Sequence, residues 1–99
     1  MATPLDENRL RDALSELTCW DGHLETGIHC QRQLPTFRDA IRLVDAVAEV
    51  AEEMDHHPDI DIRYNTVTFT LRTHSVNAVT ELDVELARRI EQLSSAAQA

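Results

Sequence analysis

The chain has 99 residues and a net charge of −9, from 9 Lys and Arg against 18 Asp and Glu. A chain of this length forms one domain, so we expect a single domain over residues 1–99. Its acidic surface repels phosphate groups, which argues against nucleic acid and anionic membranes as partners.

Membrane and secretory segments are not expected. No apolar run approaches the ~18 residues of a membrane span, and residues 1–8 lack the basic and apolar pattern of a signal peptide. We therefore expect a cytoplasmic protein. Two cysteines, Cys19 and Cys30, do not make a disulfide framework or a zinc motif, and we expect each to behave as a small buried hydrophobic residue.

The first third of the chain predicts one helix and two short strands. Apolar residues at helical spacing predict a helix over Leu5–Leu17. Turn chemistry at Gly22 and Gly27 places the strands at Thr18–Gly22 and Gly27–Gln33.

The clearest element is a central amphipathic helix. Apolar residues recur at three- and four-residue steps, and Thr36 stands where an N-cap residue is expected. The pattern predicts a helix over Phe37–Met54. It must end near His57, because a residue that precedes a proline is disfavoured in the helical region.

After Pro58 the hydrophobic period changes to two, which predicts two half-buried antiparallel strands. We expect Asn65 and Thr66 to be the turn residues, so that Tyr64 pairs with Val67.

A last helix opens at Thr80 with a variant of the capping box, and its expected apolar face is Leu82, Leu86, Ile90 and Leu93. The order α-β-β-α-β-β-α predicts an α+β fold: a four-stranded antiparallel sheet with its helices on one face.

Three of the five histidines converge in this topology. Continuing the predicted hairpin ladder places His74 beside residue 57, so the loop after the central helix meets the end of the fourth strand. Imidazole has an unperturbed pKa near neutrality and can both accept and donate a proton. Histidines His56, His57 and His74 around one cleft therefore suit the addition or elimination of water.

Other interpretations of these residues remain open. Three imidazoles and a carboxylate can bind zinc, although adjacent histidines rarely point the same way. Asp83 occupies a capping-box position, and Glu52 and Glu53 are also typical of a solvated helix face. His23 and His29 lie in the early strands, and we assign them no role.

At these positions the chain resembles the pterin-4a-carbinolamine dehydratase family. Five residues separate Pro58 from Tyr64, nine separate Tyr64 from His74, and eight separate His74 from Asp83. These gaps match the family signature, and the similarity covers nearly the whole chain. The residues that carry it are Glu52, the tripeptide His56-His57-Pro58, Tyr64, Thr73-His74 and Asp83.

The resemblance implies the same fold and a reaction. Family members dehydrate 4a-hydroxytetrahydropterin to quinonoid dihydropterin, in tetrahydrobiopterin recycling after aromatic amino-acid hydroxylation, without a metal or organic cofactor. The implied partners are a small-molecule pterin substrate, a functional link to an aromatic amino-acid hydroxylase, and further copies of the chain in a homodimer or homotetramer.

The resemblance also implies residue roles. We expect His56 and His74 to transfer protons and His57 to hold the pterin, while Glu52 orients a histidine and Asp83 positions His74 or a water. The implied catalytic residues are His56, His57, His74, Glu52 and Asp83. The implied substrate-binding residues are Asp55, His57, Pro58, Thr73 and His74.

Two positions depart from the family pattern. Ile60 stands where many relatives carry an aromatic residue, which leaves one wall of the expected pterin pocket in question, and Thr66 stands where they often carry a basic residue.

A second class of function is also compatible with the resemblance. Some relatives act as dimerisation cofactors or assembly factors, so the alternative is a non-catalytic interaction protein.

Overall fold

The computed structural model describes residues 2–98 and contains one antiparallel sheet and three helices. The elements are α1 Glu7–Glu16, β1 Asp21–His23, β2 Gly27–Gln33, α2 Phe37–Met54, β3 Asp59–Arg63, β4 Thr66–Leu71 and α3 Glu81–Gln98. The strands lie in the order β1-β2-β4-β3, and every neighbouring pair is antiparallel. The predicted α+β class and the order α-β-β-α-β-β-α are confirmed.

The helices cover one face of the sheet. In β4, Val67, Phe69 and Leu71 are buried, whereas the threonines between them remain partly exposed. This period of two places one side of the strand in the core. The helices contribute the opposite side of that core, chiefly through Leu43, Val47, Leu86, Ala87 and Ile90. Among residues 2–98, no helix combines the length and hydropathy needed to cross a membrane.

Helix α2 has the bounds that its sequence predicts. The Thr36 side chain accepts a hydrogen bond from the Asp39 amide at 3.1 Å and caps the first turn. At the other end Asp55 adopts a left-handed conformation with φ of 49°. The amide of His56 then donates to the Ala51 carbonyl at 3.0 Å, which turns the chain sharply before Pro58.

Helix α1 and strand β1 are shorter than predicted, whereas β2 has its predicted bounds. Asp6 caps α1, since its side chain accepts from the Arg9 amide at 2.8 Å, so the helix begins at Glu7 rather than Leu5. The first strand is Asp21–His23 and not Thr18–Gly22, because the residues before it form a turn in which the Trp20 amide donates to the Leu17 carbonyl.

The predicted register of the β3–β4 hairpin is wrong by two residues. Arg63 pairs with Thr66, and the turn residues are Tyr64 and Asn65. The cause is Asn65, whose side-chain amide donates to the Leu34 carbonyl at 2.7 Å and fastens the turn to the end of β2. A shift of two preserves which side chains face inward. The ladder begins only at Asp59, so the histidines meet through loops beyond the strands.

Strand β3 is exposed along its whole length, and the prediction of a half-buried strand is wrong there. The strand lies at the sheet edge and pairs only with β4. Ile60 and Ile62 remain 36% and 37% exposed.

Leu82 does not belong to the apolar face of α3, contrary to the prediction. The inward stripe follows Asp83, Ala87 and Ile90, all fully buried. Successive helical residues are rotated by about 100°, so Leu82 lies beside the stripe and stays 39% exposed.

The expectation of two separate cysteine thiols is also wrong. Cys19 and Cys30 form a disulfide with a Cα–Cα distance of 5.4 Å. Cys30 lies on the buried face of β2, and the β1–β2 hairpin returns Cys19 to its side. The 11-residue separation does not reveal this pairing until the hairpin is known.

Reduction of this disulfide should lower the free energy of unfolding by about 2–3 kcal/mol, because the released loop regains conformational entropy in the unfolded chain. Urea unfolding with and without a thiol reductant measures the difference. A Cys19→Ser/Cys30→Ser double variant should be insensitive to reductant. Equal stability of the wild-type protein in both conditions would contradict the prediction.

Candidate active site

An open cavity of about 400 Å³ forms where the loop after α2 meets the loop after β4. It brings together the three histidines that the sequence singles out. The lining residues are Ala2, Asp55, His56, His57, Thr73, His74, Ser75 and Leu82.

Local backbone structure sets the two loops. The left-handed Asp55 ends α2 and leads directly into the two adjacent histidines. On the other side, the Thr73 amide donates to the Ala78 carbonyl at 2.9 Å and closes a tight loop. His74 is the first residue inside that loop, and Asn77 closes it with φ of 50°.

His56 is held by a buried carboxylate. Its Nε2 lies 2.6 Å from Asp83 Oδ1, and both side chains are buried. The other oxygen, Asp83 Oδ2, accepts from the Thr73 hydroxyl at 2.8 Å and from the Thr80 amide at 2.9 Å. A buried carboxylate is stable only when its acceptor positions are filled, and this one has three donors.

The network determines which nitrogen of neutral His56 carries the proton. A carboxylate can only accept hydrogen bonds, so the nitrogen beside Asp83 must be the donor. His56 therefore has Nε2–H directed at Asp83. Its Nδ1 is left as an acceptor on the ring that lines the cavity.

His57 has a similar partner in a different environment. Its Nε2 lies 2.5 Å from Glu52 Oε2, but the two side chains are 56% and 75% exposed. Solvent screens such a pair, so it contributes little to stability. The contact orients the His57 ring without fixing it as firmly as Asp83 fixes His56.

His74 is exposed, and within residues 2–98 its ring has no hydrogen-bond partner. The three histidines therefore differ in burial and in their partners. The His56 ring is buried and contacts Asp83, the His57 ring is exposed and contacts Glu52, and the exposed His74 ring has no hydrogen-bond partner within residues 2–98.

Some of the predicted site residues line the histidine cavity, and others do not. Asp55 and Thr73 line the cavity with the histidines, whereas Pro58 does not. The resemblance implies that Asp83 positions His74 or a water, but its carboxylate contacts His56. The capping interpretation of Asp83 also holds, because the same carboxylate accepts from the Thr80 amide.

Several other residues of the sequence pattern lie outside the cavity. Ile60, the expected pocket wall, is on the edge strand, and Tyr64 is 72% exposed at the hairpin tip. Glu53 approaches Arg89 at 3.3 Å across the helices. The exposed His29 lies on the outer face of β2.

Sequence reasoning missed three lining residues: Ala2, Ser75 and Leu82. Ser75 directly follows His74, so its place in the cavity could have been predicted from the sequence. Ala2 and Leu82 come from the N-terminal segment and the first turn of α3, which meet only through tertiary structure.

One cluster of metal-ligand type occurs within the described part of the chain, and it lies away from the histidines. It consists of Cys19, Cys30 and Glu91, whose ligand atoms lie within 4.8 Å of one another. Its sulfurs are joined in the disulfide, and Glu91 Oε1 lies 2.5 Å from the Arg32 guanidinium. These groups are already engaged with protein partners.

The family model described as Pterin 4 alpha carbinolamine dehydratase matches residues 3–93. The chain belongs to this family.

Individual relatives agree with the family match. A protein of Nocardia farcinica, provisionally named as a pterin-4-alpha-carbinolamine dehydratase, is 47% identical over 92 residues, which cover 91% of this chain and 94% of that protein. A similarly named protein of Mycobacterium sp. strain KMS is 46% identical over 92 residues, covering 90% and 94% of the two chains.

Solved structures show the same fold. The chain matches a Brucella melitensis crystal structure, described as a transcriptional coactivator/pterin dehydratase, with a TM-score of 0.86 and 36% identity over 93% of this chain and 99% of the other. It also matches a pterin dehydratase-like protein described as a RuBisCO assembly factor, with a TM-score of 0.62 and 21% identity over 76% and 86% of the chains. The second likeness shows the fold alone.

Replacing Asp83 with Asn should destabilise the protein by about 1–3 kcal/mol, because an amide NH₂ then faces groups that are themselves donors. Urea unfolding measures the change. The matched variant Asp59→Asn, on the exposed edge strand, should change stability by less than about 0.5 kcal/mol. If Asp83→Asn changed the free energy of unfolding as little as Asp59→Asn, the prediction that the buried network stabilises the protein would be wrong.

Proposed function

We propose that this chain dehydrates a 4a-hydroxytetrahydropterin to the quinonoid dihydropterin, with His56 and His74 as the proton-transfer pair. Family membership supports the reaction class. The observation that carries the proposal is the convergence of three imidazoles on one cavity, with one of them held by a buried carboxylate.

The reaction needs one base and one acid. The proton on N5 is removed, and the electrons of that N–H bond form the N5–C4a double bond. The C4a–O bond breaks, and the departing hydroxyl takes a proton to leave as water. A base must therefore face N5 while an acid faces the 4a-oxygen.

His56 is suited to accept the N5 proton. Asp83 holds its Nε2–H, which leaves Nδ1 as the acceptor. When Nδ1 takes a proton the ring becomes cationic, and the adjacent carboxylate stabilises that charge without any rearrangement. The buried Thr73 and Thr80 donors keep Asp83 in place during the step.

His74 is suited to protonate the leaving hydroxyl, because its ring is exposed and free of protein partners within residues 2–98. A water molecule can return both histidines to their starting states through the open mouth of the cavity. In this proposal His57, oriented by Glu52, holds the pterin, and Asp55 and Thr73, which line the same cavity, contribute to binding.

The wider setting is part of the same proposal. The substrate is released by an aromatic amino-acid hydroxylase, and a separate reductase reduces the quinonoid dihydropterin back to tetrahydropterin. The chain acts in the cytoplasm as a homodimer or homotetramer. The alternative is a non-catalytic interaction protein. This alternative is supported by the Brucella relative, whose structure is described as a transcriptional coactivator/pterin dehydratase.

His74→Ala should lower the rate constant for dehydration by on the order of 10²-fold or more, the usual contribution of general acid–base catalysis. Stopped-flow absorbance of freshly generated 4a-hydroxytetrahydropterin measures this rate. His29→Ala is the matched control, since that imidazole lies on the outer face of β2, and it should leave the rate unchanged.

Near-normal turnover by a folded His74→Ala variant would overturn the role given to His74. A folded wild-type protein that does not accelerate dehydration at all would favour the interaction function instead.

A further inference from the structure

Three side chains of the types that bind metals lie together where the sheet meets α3. Cys30 is on β2, Cys19 lies in the turn before β1, and Glu91 projects from α3. One ligand atom from each residue lies within 4.8 Å of the other two. None of the three lines the histidine cavity, so this Cys19–Cys30–Glu91 cluster is a separate feature of the molecule.

The oxidation state of the two cysteines determines what the cluster can bind. The thiolate is the form of cysteine that binds metals, and Cys19 and Cys30 have none while they are joined as a disulfide. Reducing compartments keep such pairs as dithiols. A dithiol reductant passes two electrons and two protons to the two sulfurs and itself becomes a disulfide. The reduced protein then carries two thiols and a carboxylate in one place.

We infer that the reduced Cys19–Cys30 pair and Glu91 bind one Zn²⁺ ion, with a water molecule as the fourth ligand. Thiolate ligands favour Zn²⁺, which prefers four ligands in a tetrahedron. The ion displaces the two thiol protons, which pass to solvent. Cys19 and Glu91 are only partly buried, so zinc and its water ligand reach the cluster from solvent.

The distances suit a zinc ion once the two sulfurs separate. Zn–S bonds of ~2.3 Å and Zn–O bonds of ~2.0–2.2 Å place neighbouring ligand atoms of a tetrahedron roughly 3.4–3.8 Å apart. Cys30 is held in the sheet opposite Phe69 and is 1% exposed. Cys19 is half-buried and lies outside the strands. Its side chain therefore supplies the small movement that opens the cluster for the ion.

The charge of the occupied cluster is balanced by Arg32. Two thiolates and one carboxylate carry three negative charges, and zinc neutralises two of them. The Arg32 guanidinium, 2.5 Å from Glu91 Oε1, neutralises the third. A carboxylate has two oxygens, so Glu91 keeps Arg32 on Oε1 while Oε2 binds the metal. A ligand carboxylate with its own hydrogen-bond partner is typical of metal sites.

Zinc then takes over the structural role of the disulfide. The disulfide joins only the turn before β1 to β2, whereas the zinc ion also links both of them to α3 through Glu91. The reduced protein with zinc should therefore unfold at a higher urea concentration than the reduced protein with a metal chelator. Equal midpoints would contradict this cross-link.

Metal titration of the two redox forms tests the site. One sample is reduced with a dithiol and then freed of the reductant without oxygen, while the other remains oxidised. Both are titrated with Zn²⁺ in competition with a chromophoric chelator. The reduced protein should bind one Zn²⁺ at least about a hundredfold more tightly than the oxidised protein, because only the reduced form has thiolates. Titration with Co²⁺ should give sulfur-to-cobalt charge-transfer absorption in the reduced form alone.

Two variants identify the ligands. Glu91→Gln keeps both cysteines and should weaken zinc binding by the reduced protein roughly tenfold or more, because losing a ligand costs at least as much as losing the hydrogen-bond partner of a ligand. Its matched control is Glu85→Gln, on the same helix outside the cluster, which should bind zinc like the wild-type protein. Cys19→Ser leaves the pair of Arg32 and Glu91 in place, and its zinc affinity should fall to that of the oxidised protein.

Several results would overturn the site. Equal zinc affinity of the reduced and oxidised proteins, or tight binding that survives Cys19→Ser, would show that other groups bind the ion, such as the histidines present in both forms. Equal affinities of the reduced Glu91→Gln and Glu85→Gln variants would remove Glu91 from the ligand set. Absence of zinc binding by the folded, reduced protein would contradict the site altogether.

Discussion

The Asp83 carboxylate is the point on which the site depends. It lies at the start of α3 with no exposed surface, and it accepts hydrogen bonds from His56, Thr73 and the Thr80 amide. Burying a carboxylate is costly unless its oxygens are satisfied. Three separate segments of the chain must therefore meet at this residue, and their meeting builds one side of the histidine cavity.

The same network gives the three histidines different environments. Asp83 holds the buried ring in one orientation, with one nitrogen engaged and the other available. The pair formed by His57 and Glu52 is exposed to solvent, and the ring of His74 has no hydrogen-bond partner among the described residues. In the proposed reaction His56 is the base and His74 the acid, an arrangement compatible with an elimination in which two protons move at neighbouring substrate atoms.

Local sequence rules predicted what depends on local interactions. The bounds of α2 follow from the Thr36 cap and from Pro58, and the spacing typical of the family singles out His56, His57 and His74. The hairpin register could not be predicted because Asn65 bonds to Leu34, a residue 31 positions earlier. The Cys19–Cys30 disulfide and the exposure of Leu82 likewise depend on how distant segments pack.

A crystal structure of the chain with a bound oxidised pterin tests the central claim most directly. The account predicts the bicyclic ring in the histidine cavity, with its N5 edge within roughly 3.2 Å of His56 Nδ1 and His74 facing C4a. Asp83 should retain its contact with His56 Nε2. A pterin bound outside this cavity, or with its N5 edge turned away from both imidazoles, would contradict the account.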